Sequence, residues 1–311
     1  MKTLIAIPCF NESEVIDECI ESIRKNFTAD HDILVVNDGS SDNSLDKIRK
    51  SKVEFVLSSL SNFGLSAVFN SILTFAKDNS YDFLIVYDSD MQYPENQIDE
   101  LFNKLVKTNK DIVIGERNFN NENHFSKTKI FFQKLGSSII SKLVGSKLKD
   151  VTSGFRGYSR SAIHQLHVVN KYTYTIETLL QCKIKNLTIG TMPLNFFRET
   201  RTSRLVKSSF DYIKKTVGIV YLGIFLYFRN KVVFYSLSAI LILSITTLSR
   251  FFIPYFQTGY NTGNIQSLIF GTFLILFLLL IAILLNQNLI NYRIETLNSI
   301  IERNKHSLIE R

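Results

Sequence analysis

An α/β domain on a mostly parallel sheet, followed by interfacial helices and a two-helix transmembrane hairpin, is the fold this sequence predicts. Two observations carry that expectation. Over the first two hundred residues, short β-rich runs alternate with longer segments of helical period, the pattern of βαβ units with helices on both sheet faces. From Lys231 to Leu285, by contrast, Ile, Leu, Phe and Val dominate.

The strands are expected at Thr3–Pro8, Ile33–Asn37, Val53–Leu57, Phe83–Tyr87 and Asp111–Gly115. Helices are expected between them at Ser13–Phe27, Asn43–Lys50, Leu65–Asp78 and Glu95–Thr108. The N-terminus has a Lys and a short apolar run, but Pro8, Asn11 and Glu12 interrupt it too early for a signal peptide, and Leu4 to Phe10 reads as the first strand. In open sheets of this kind ligands bind beyond the carboxyl ends of the strands, so chemistry is sought just after each one.

Val232 to Ser249 and Ile265 to Leu285 are uncharged runs, each long enough to cross a hydrocarbon core of about 30 Å at about 1.5 Å per residue. The stretch from Leu268 to Leu285 has no polar face, which argues against a buried core helix. The sequence therefore divides into a front domain (1–200), a basic juxtamembrane segment (201–231), a membrane region (232–285, helices about 232–253 and 265–285) and a tail (286–311). Val217 to Phe228 is apolar but too short to span; with Lys214, Lys215, Arg229 and Lys231 around it, it reads as a helix lying in the interface. The loop Pro254–Asn264 lacks Lys and Arg while both outer flanks are basic, which places front domain and termini on the cytoplasmic side of the cell membrane.

The net charge is +8, and its cluster at Arg201, Arg204, Lys207, Lys214 and Lys215 sits where an anionic leaflet attracts it. Nothing resembles a nucleic-acid recognition element. Cys9, Cys19 and Cys182 are too few and too unevenly spaced for a disulfide framework or a zinc site. The five histidines have no metal-ligand spacing either.

Four polar turns follow four successive strands. Ile7-Pro8-Cys9-Phe10-Asn11-Glu12 comes after the first and Val36-Asn37-Asp38-Gly39-Ser40-Ser41-Asp42 after the second. Asn62-Phe63-Gly64 follows the third, and Tyr87-Asp88-Ser89-Asp90-Met91-Gln92 the fourth. Two carboxylates across one residue at a strand end suit Mg²⁺ or Mn²⁺ held against a diphosphate, since hard cations share oxygen ligands with phosphates. Alone, such a pair is as compatible with a polar turn. Four turns on one rim suit a nucleotide.

Those motifs, with Ser153-Gly154-Phe155-Arg156-Gly157-Tyr158-Ser159-Arg160, resemble the family 2 glycosyltransferases with a GT-A fold, and within them the polyprenyl-phosphate group that includes dolichyl-phosphate mannose synthases. The resemblance covers the first two hundred residues in order and continues through Thr200–Ser208 to the C-terminal hairpin. It implies an inverting transfer of a sugar from a UDP- or GDP-sugar to a polyprenyl phosphate, undecaprenyl or dolichyl. By it, Pro8, Asn11, Glu12, Asp38, Gly64 and Asp88 line the nucleotide pocket. Asp88, Asp90 and Gln92 surround a Mg²⁺ or Mn²⁺, with Asp90 and Gln92 as direct ligands. Asp90 and Arg117 are its catalytic residues. Arg117, Lys134, Ser138, Arg201, Ser203 and Arg204 serve the phosphates, and Asp150, Arg156 and Glu177 are sugar-site candidates. Where many relatives read R-x-x-G-x-S-K, this chain has Arg198-Glu199-Thr200-Arg201-Thr202-Ser203-Arg204: the cationic clamp is kept and the glycine lost.

Three rivals remain in view. A processive polysaccharide synthase would carry a Q-x-x-R-W motif, and this chain has no Trp. An acceptor such as diacylglycerol or a lipid-linked glycan would need a base for its hydroxyl. A non-catalytic membrane scaffold would not need Asp88, Asp90 and the basic residues that are present. The sugar, the choice of UDP or GDP, polyprenol length and homo-oligomerisation stay open.

Overall fold

The computed structural model describes residues 1–117, 127–170, 173–195, 235, 238–257, 265–281 and 308–310, with backbone alone at 127–129, 131–132 and 308–310. One unit holds the described residues up to 195 together with 308–310; the other holds the helices between.

The first unit contains β1 (Thr3–Cys9), α1 (Ile16–Asn26), β2 (His31–Asn37), α2 (Ser44–Lys50), β3 (Phe55–Ser58), α3 (Leu65–Asp78) and β4 (Phe83–Val86). A 3₁₀ turn (Glu95–Gln97) leads into α4 (Ile98–Thr108), then β5 (Ile112–Glu116), α5 (Lys127–Val144), β6 (Arg156–Ser159), α6 (Arg160–Gln165), α7 (Thr175–Lys185) and β7 (Ile189–Pro193). With β8 (Leu308–Glu310) these strands form one sheet in the order β7-β5-β6-β4-β1-β2-β3-β8. Only β6 and β8 run antiparallel to their neighbours, so the sheet is mostly parallel, as the alternation predicted.

Period-two burial sets the layers. Ile5, Ile7, Ile33, Val35, Ile85 and Val113 pack with Ile16, Ile20, Ile23, Ile48, Leu101 and Leu105 from α1, α2 and α4. The intervening residues Leu4, Ala6, Leu34, Leu84 and Val86 are also buried, on the face that α3 and α6 cover. Strands buried on both faces read as continuous apolar runs, which is why β1 and β2 were legible. In α1 and α4 the buried residues recur at i, i+3, i+4 and i+7 (Ile16, Cys19, Ile20, Ile23; Ile98, Leu101, Phe102, Leu105). Asn109 and Asn186 end α4 and α7 in the left-handed region.

Several boundaries differ from expectation for local reasons. α1 starts at Ile16 rather than Ser13, because the Glu12 carbonyl accepts from Val15 and Ile16 and residues 12–15 form a turn. Glu95–Gln97 is a 3₁₀ turn after Pro94, not the first turn of α4. α5, β6, α6, α7 and β7 were not assigned from sequence.

In the second unit, Ser238–Gln257 (α8) is 20 residues long with a mean hydropathy of 1.6, and is long and apolar enough to cross a membrane. Ile265–Ile281 (α9) is a shorter apolar helix. α8 runs through Pro254, which had been placed in a loop; in the last turn proline removes only one intrahelical bond. The interfacial segment 201–231 lies outside the described residues.

Candidate functional site

The site forms where the sheet changes direction. β2 and β3 lie on one side of β1 and β4 on the other, so a crevice opens at the carboxyl end between β1 and β4. Pro8 widens it. The β1–β4 ladder ends at Ala6↔Val86, where the Ala6 carbonyl still accepts from Tyr87 N. Residue 8 presents its backbone nitrogen to the same side, and proline has no N–H to extend the ladder.

Each of the first four strands then turns through one left-handed residue: Asn11 (φ 55°), Gly39 (φ 65°), Gly64 (φ 87°) and Met91 (φ 54°). The first three turns are tied together. Asn11 N donates to Ser40 Oγ at 2.9 Å, Asn11 Oδ1 accepts from Ser41 N at 2.8 Å, and Glu12 N donates to Ser44 Oγ at 2.8 Å. Asp42 accepts from Ser13 N and Ser44 N. Desolvation alone would raise its carboxyl, but these hydrogen bonds outweigh it and bring Asp42 to about 2.

Asp38 accepts from Phe63 N and Gly64 N, each at 2.8 Å. The sequence offers this carboxylate to a base or ribose, and each of its oxygens also accepts from the backbone of the third turn. Gly39 is pressed against that turn, where a β-carbon would lie 2.4 Å from the Ser61 carbonyl carbon. Gly39→Ala is therefore expected to cost about 1–3 kcal/mol, through left-handed strain and a forced backbone shift. Denaturant unfolding of the full chain in detergent measures it, and an unchanged midpoint would mean the two turns are not pressed together.

At the fourth turn, Asp90 Oδ1 accepts from Gln92 N at 3.2 Å, and left-handed Met91 has its side chain in the core. The Asp88 carboxylate rests on Gly154: a β-carbon there would meet Asp88 Oδ2 at 2.6 Å. Asp88 keeps part of its surface open, yet the surrounding protein desolvates it and the Asp90 charge adds to this, pushing its carboxyl up to about 7 against the opposing pull of Arg117 and Arg156. Two carboxylates that resist joint ionisation fit a divalent cation. Among the described residues no group of three His, Cys, Asp or Glu forms a protein-only cage. An ion here would complete its shell with diphosphate oxygens and water, as Mg²⁺ commonly does.

Arg117 follows β5 and is held in a frame. Its Nε donates to Asp150 Oδ2 at 2.5 Å, and one Nη donates to Asp150 Oδ1 at 3.0 Å and Thr152 Oγ1 at 2.8 Å. Gln133 of α5 donates to both Asp150 Oδ1 (3.1 Å) and Thr152 Oγ1 (2.9 Å). Burial would raise the Asp150 carboxyl, but the Arg117 charge and these bonds hold it below the ordinary range.

The three sugar-site candidates lie in the interior. Asp150 and Arg156 are 0 % exposed and Glu177 is 3 %. Arg156 donates to the carbonyls of Ser153, Thr175 and Val151 and to Thr178 Oγ1. Glu177 accepts from Val169 N, Asn170 N and Asn170 Nδ2. All three hold backbone in place. Lys134 and Ser138 lie on the exposed face of α5, while Arg201, Ser203 and Arg204 fall outside the described residues. Gln133 and Thr152 were missed. The available signal was a polar residue, Gln133, on the buried helical face that continues with Ser137 and Ile140.

Comparison with known proteins bears on the fold and the family. The dolichol-phosphate mannosyltransferase of Pyrococcus furiosus is 24% identical over 227 residues, covering 69% of this chain and 62% of that protein. The undecaprenyl-phosphate 4-deoxy-4-formamido-L-arabinose transferase of Photorhabdus laumondii is 26% identical over 205 residues, covering 64% of this chain and 58% of that protein. The chain thus spans less than two thirds of the length of these curated relatives. Among solved structures, glucosyl-3-phosphoglycerate synthase from Mycobacterium tuberculosis, in complex with Mn²⁺, UDP and glucosyl-3-phosphoglycerate, superimposes with a TM-score of 0.57 at 16% identity. That match covers 73% of this chain and 79% of the other, and shows a shared fold. The family model described as Glycosyl transferase family 2 matches residues 4–166, and the chain belongs to that family of glycosyltransferases.

Proposed function

We propose that this chain transfers a sugar from a UDP- or GDP-sugar to a polyprenyl phosphate at the cytoplasmic membrane face, with inversion at the anomeric carbon. The observation that carries it is the Asp88–Asp90 pair at the end of β4, in the crevice beside the linked turns of β1, β2 and β3. The names of the two relatives, a dolichol-phosphate and an undecaprenyl-phosphate transferase, support a polyprenyl acceptor. The membrane-length apolar helix α8 supports a site that meets a lipid.

In this reading Pro8 opens the nucleotide crevice, and Asn11, Glu12, Asp38 and Gly64 shape its rim. Asp88, Asp90 and Gln92 would hold a Mg²⁺ or Mn²⁺, which would neutralise charge developing on the departing diphosphate. A phosphate monoester is already largely ionised near neutral pH, so its oxygen needs no strong base to attack the anomeric carbon. A new carbon–oxygen bond forms on one face as the bond to the nucleoside diphosphate breaks on the other. Arg117, oriented by Asp150, meets the acceptor phosphate together with Lys134, Ser138, Arg201, Ser203 and Arg204. A basic interfacial segment at 201–231 and a transmembrane hairpin would keep these groups at headgroup depth. Asp150, Arg156 and Glu177, the sugar-site candidates, also carry the frame around it.

The test offers labelled UDP- and GDP-sugars, with Mg²⁺ or Mn²⁺ and polyprenyl phosphate, to membranes containing the chain. A labelled lipid formed only by the intact protein is the expected result, and it identifies the donor. Product of retained configuration would overturn the single displacement. No lipid-linked product from any donor, with folded protein present, would remove the polyprenyl acceptor first.

A further inference from the structure

Gly154 stands beyond the end of a ladder. The β4–β6 pairing begins at Val86↔Arg156, so residues 153–155 face the carboxylate turn without strand pairing to β4. Two tyrosine hydroxyls take over. Gly154 N donates to Tyr93 Oη at 2.8 Å, and the Gly154 carbonyl accepts from the Tyr174 hydroxyl at 3.1 Å. Between those bonds lies the α-carbon against which Asp88 rests, with only the space of a glycine.

Each tyrosine is itself fixed. The Tyr93 ring stacks on Phe155 with centroids 5.6 Å apart, and its carbonyl accepts from the Tyr87 hydroxyl at 2.7 Å. The Tyr174 ring stacks on Phe69 at 4.1 Å with the planes 7° apart. All of these rings are buried. The rings alone would fill this part of the core; the hydroxyls hold one backbone unit in place, and that unit sets where Asp88 can lie.

We propose that Tyr93 and Tyr174 are positioning residues, which fix the Gly154 backbone and through it the Asp88 carboxylate in the orientation that receives a divalent cation. The proposal rests on the reading of Asp88 and Asp90 as cation ligands. Tyrosine-to-phenylalanine changes isolate it, because they keep ring, volume and stacking and remove only the hydroxyl. Groups that orient a metal ligand typically contribute 10- to 100-fold in affinity.

The experiment titrates full-length protein in detergent with Mn²⁺, with and without UDP or GDP, and reads free Mn²⁺ by electron paramagnetic resonance. Tyr93→Phe and Tyr174→Phe are each expected to weaken Mn²⁺ binding by about 10-fold or more. Tyr81→Phe is the control: its buried hydroxyl bonds Asp32 at 2.5 Å, below the opposite end of the sheet, and its loss should leave Mn²⁺ affinity unchanged. Should one variant fail to fold, the other decides. Wild-type affinity in the folded tyrosine variants, beside weakened binding in Asp90→Ala, would overturn the clamp alone. Absence of Mn²⁺ binding in the intact chain would overturn both the clamp and the cation reading beneath it.

Discussion

Asp90→Ala is expected to lower the rate of sugar transfer by about 10²–10³-fold or more, the loss seen when a group that stabilises transition-state charge is removed. The size follows from the chemistry. Asp90 is one of two carboxylates at the crevice, and its own carboxylate also anchors the turn through Gln92 N. Without it, a cation loses one of two protein charges just where the departing diphosphate needs neutralising. A second signature separates this from general damage. The Asp90 charge helps push the Asp88 carboxyl up to about 7, so its removal should let Asp88 ionise at lower pH. Initial rates against Mn²⁺ concentration and pH, with thermal unfolding as a check on folding, measure both effects. A variant that folds and transfers sugar at the native rate would sink the assignment.

Arg156→Met should be the most destabilising of the substitutions considered, by about 3–5 kcal/mol. Methionine replaces the stem of the side chain but none of its donors. The carbonyls of Ser153, Thr175 and Val151 and the Thr178 hydroxyl are left in the interior without the guanidinium. Each unsatisfied buried group costs about 1–3 kcal/mol, with some recovery by relaxation. In a domain of this size about 1 kcal/mol shifts the midpoint by about 2–4 °C, so a fall of roughly 10 °C is expected in a thermal scan. A change of a degree or two would mean that the three carbonyls find other partners.

The elements legible in the sequence were those whose own residues determine them. β1, β2 and β4 declare themselves as apolar runs, and α1 and α4 as stripes such as Ile16, Cys19, Ile20 and Ile23. The turns were legible because Asp-Gly, Asn-Phe-Gly and Asp-Ser-Asp stand at strand ends. What stayed hidden depends on partners distant in sequence. β6 is four residues, Arg-Gly-Tyr-Ser, with no alternation to read; its pairing with β4 and β5 defines it. The bonds that Asp38 accepts from Phe63 N and Gly64 N join turns distant in sequence, which no local pattern announces. Arg156 and Asp150 belong to motif-rich stretches, and only burial separates a group that meets a ligand from one that holds the frame.

The antiparallel insertion of β6 also has a bearing on how the molecule comes into being. β4 and β5 emerge from the ribosome well before Arg156, yet neither can bond to the other, since the place between them is kept for a strand not yet made. Until then β4 has β1 on one side and a bare edge on the other, a template for unwanted pairing that the nascent chain must shelter. Such long-range closure is slow, because the loop entropy is lost before the contacts that reward it exist. A nascent chain stopped short of β6 would therefore carry both aspartates of the fourth turn and no site. Competence cannot precede a four-residue strand that has no ligand of its own.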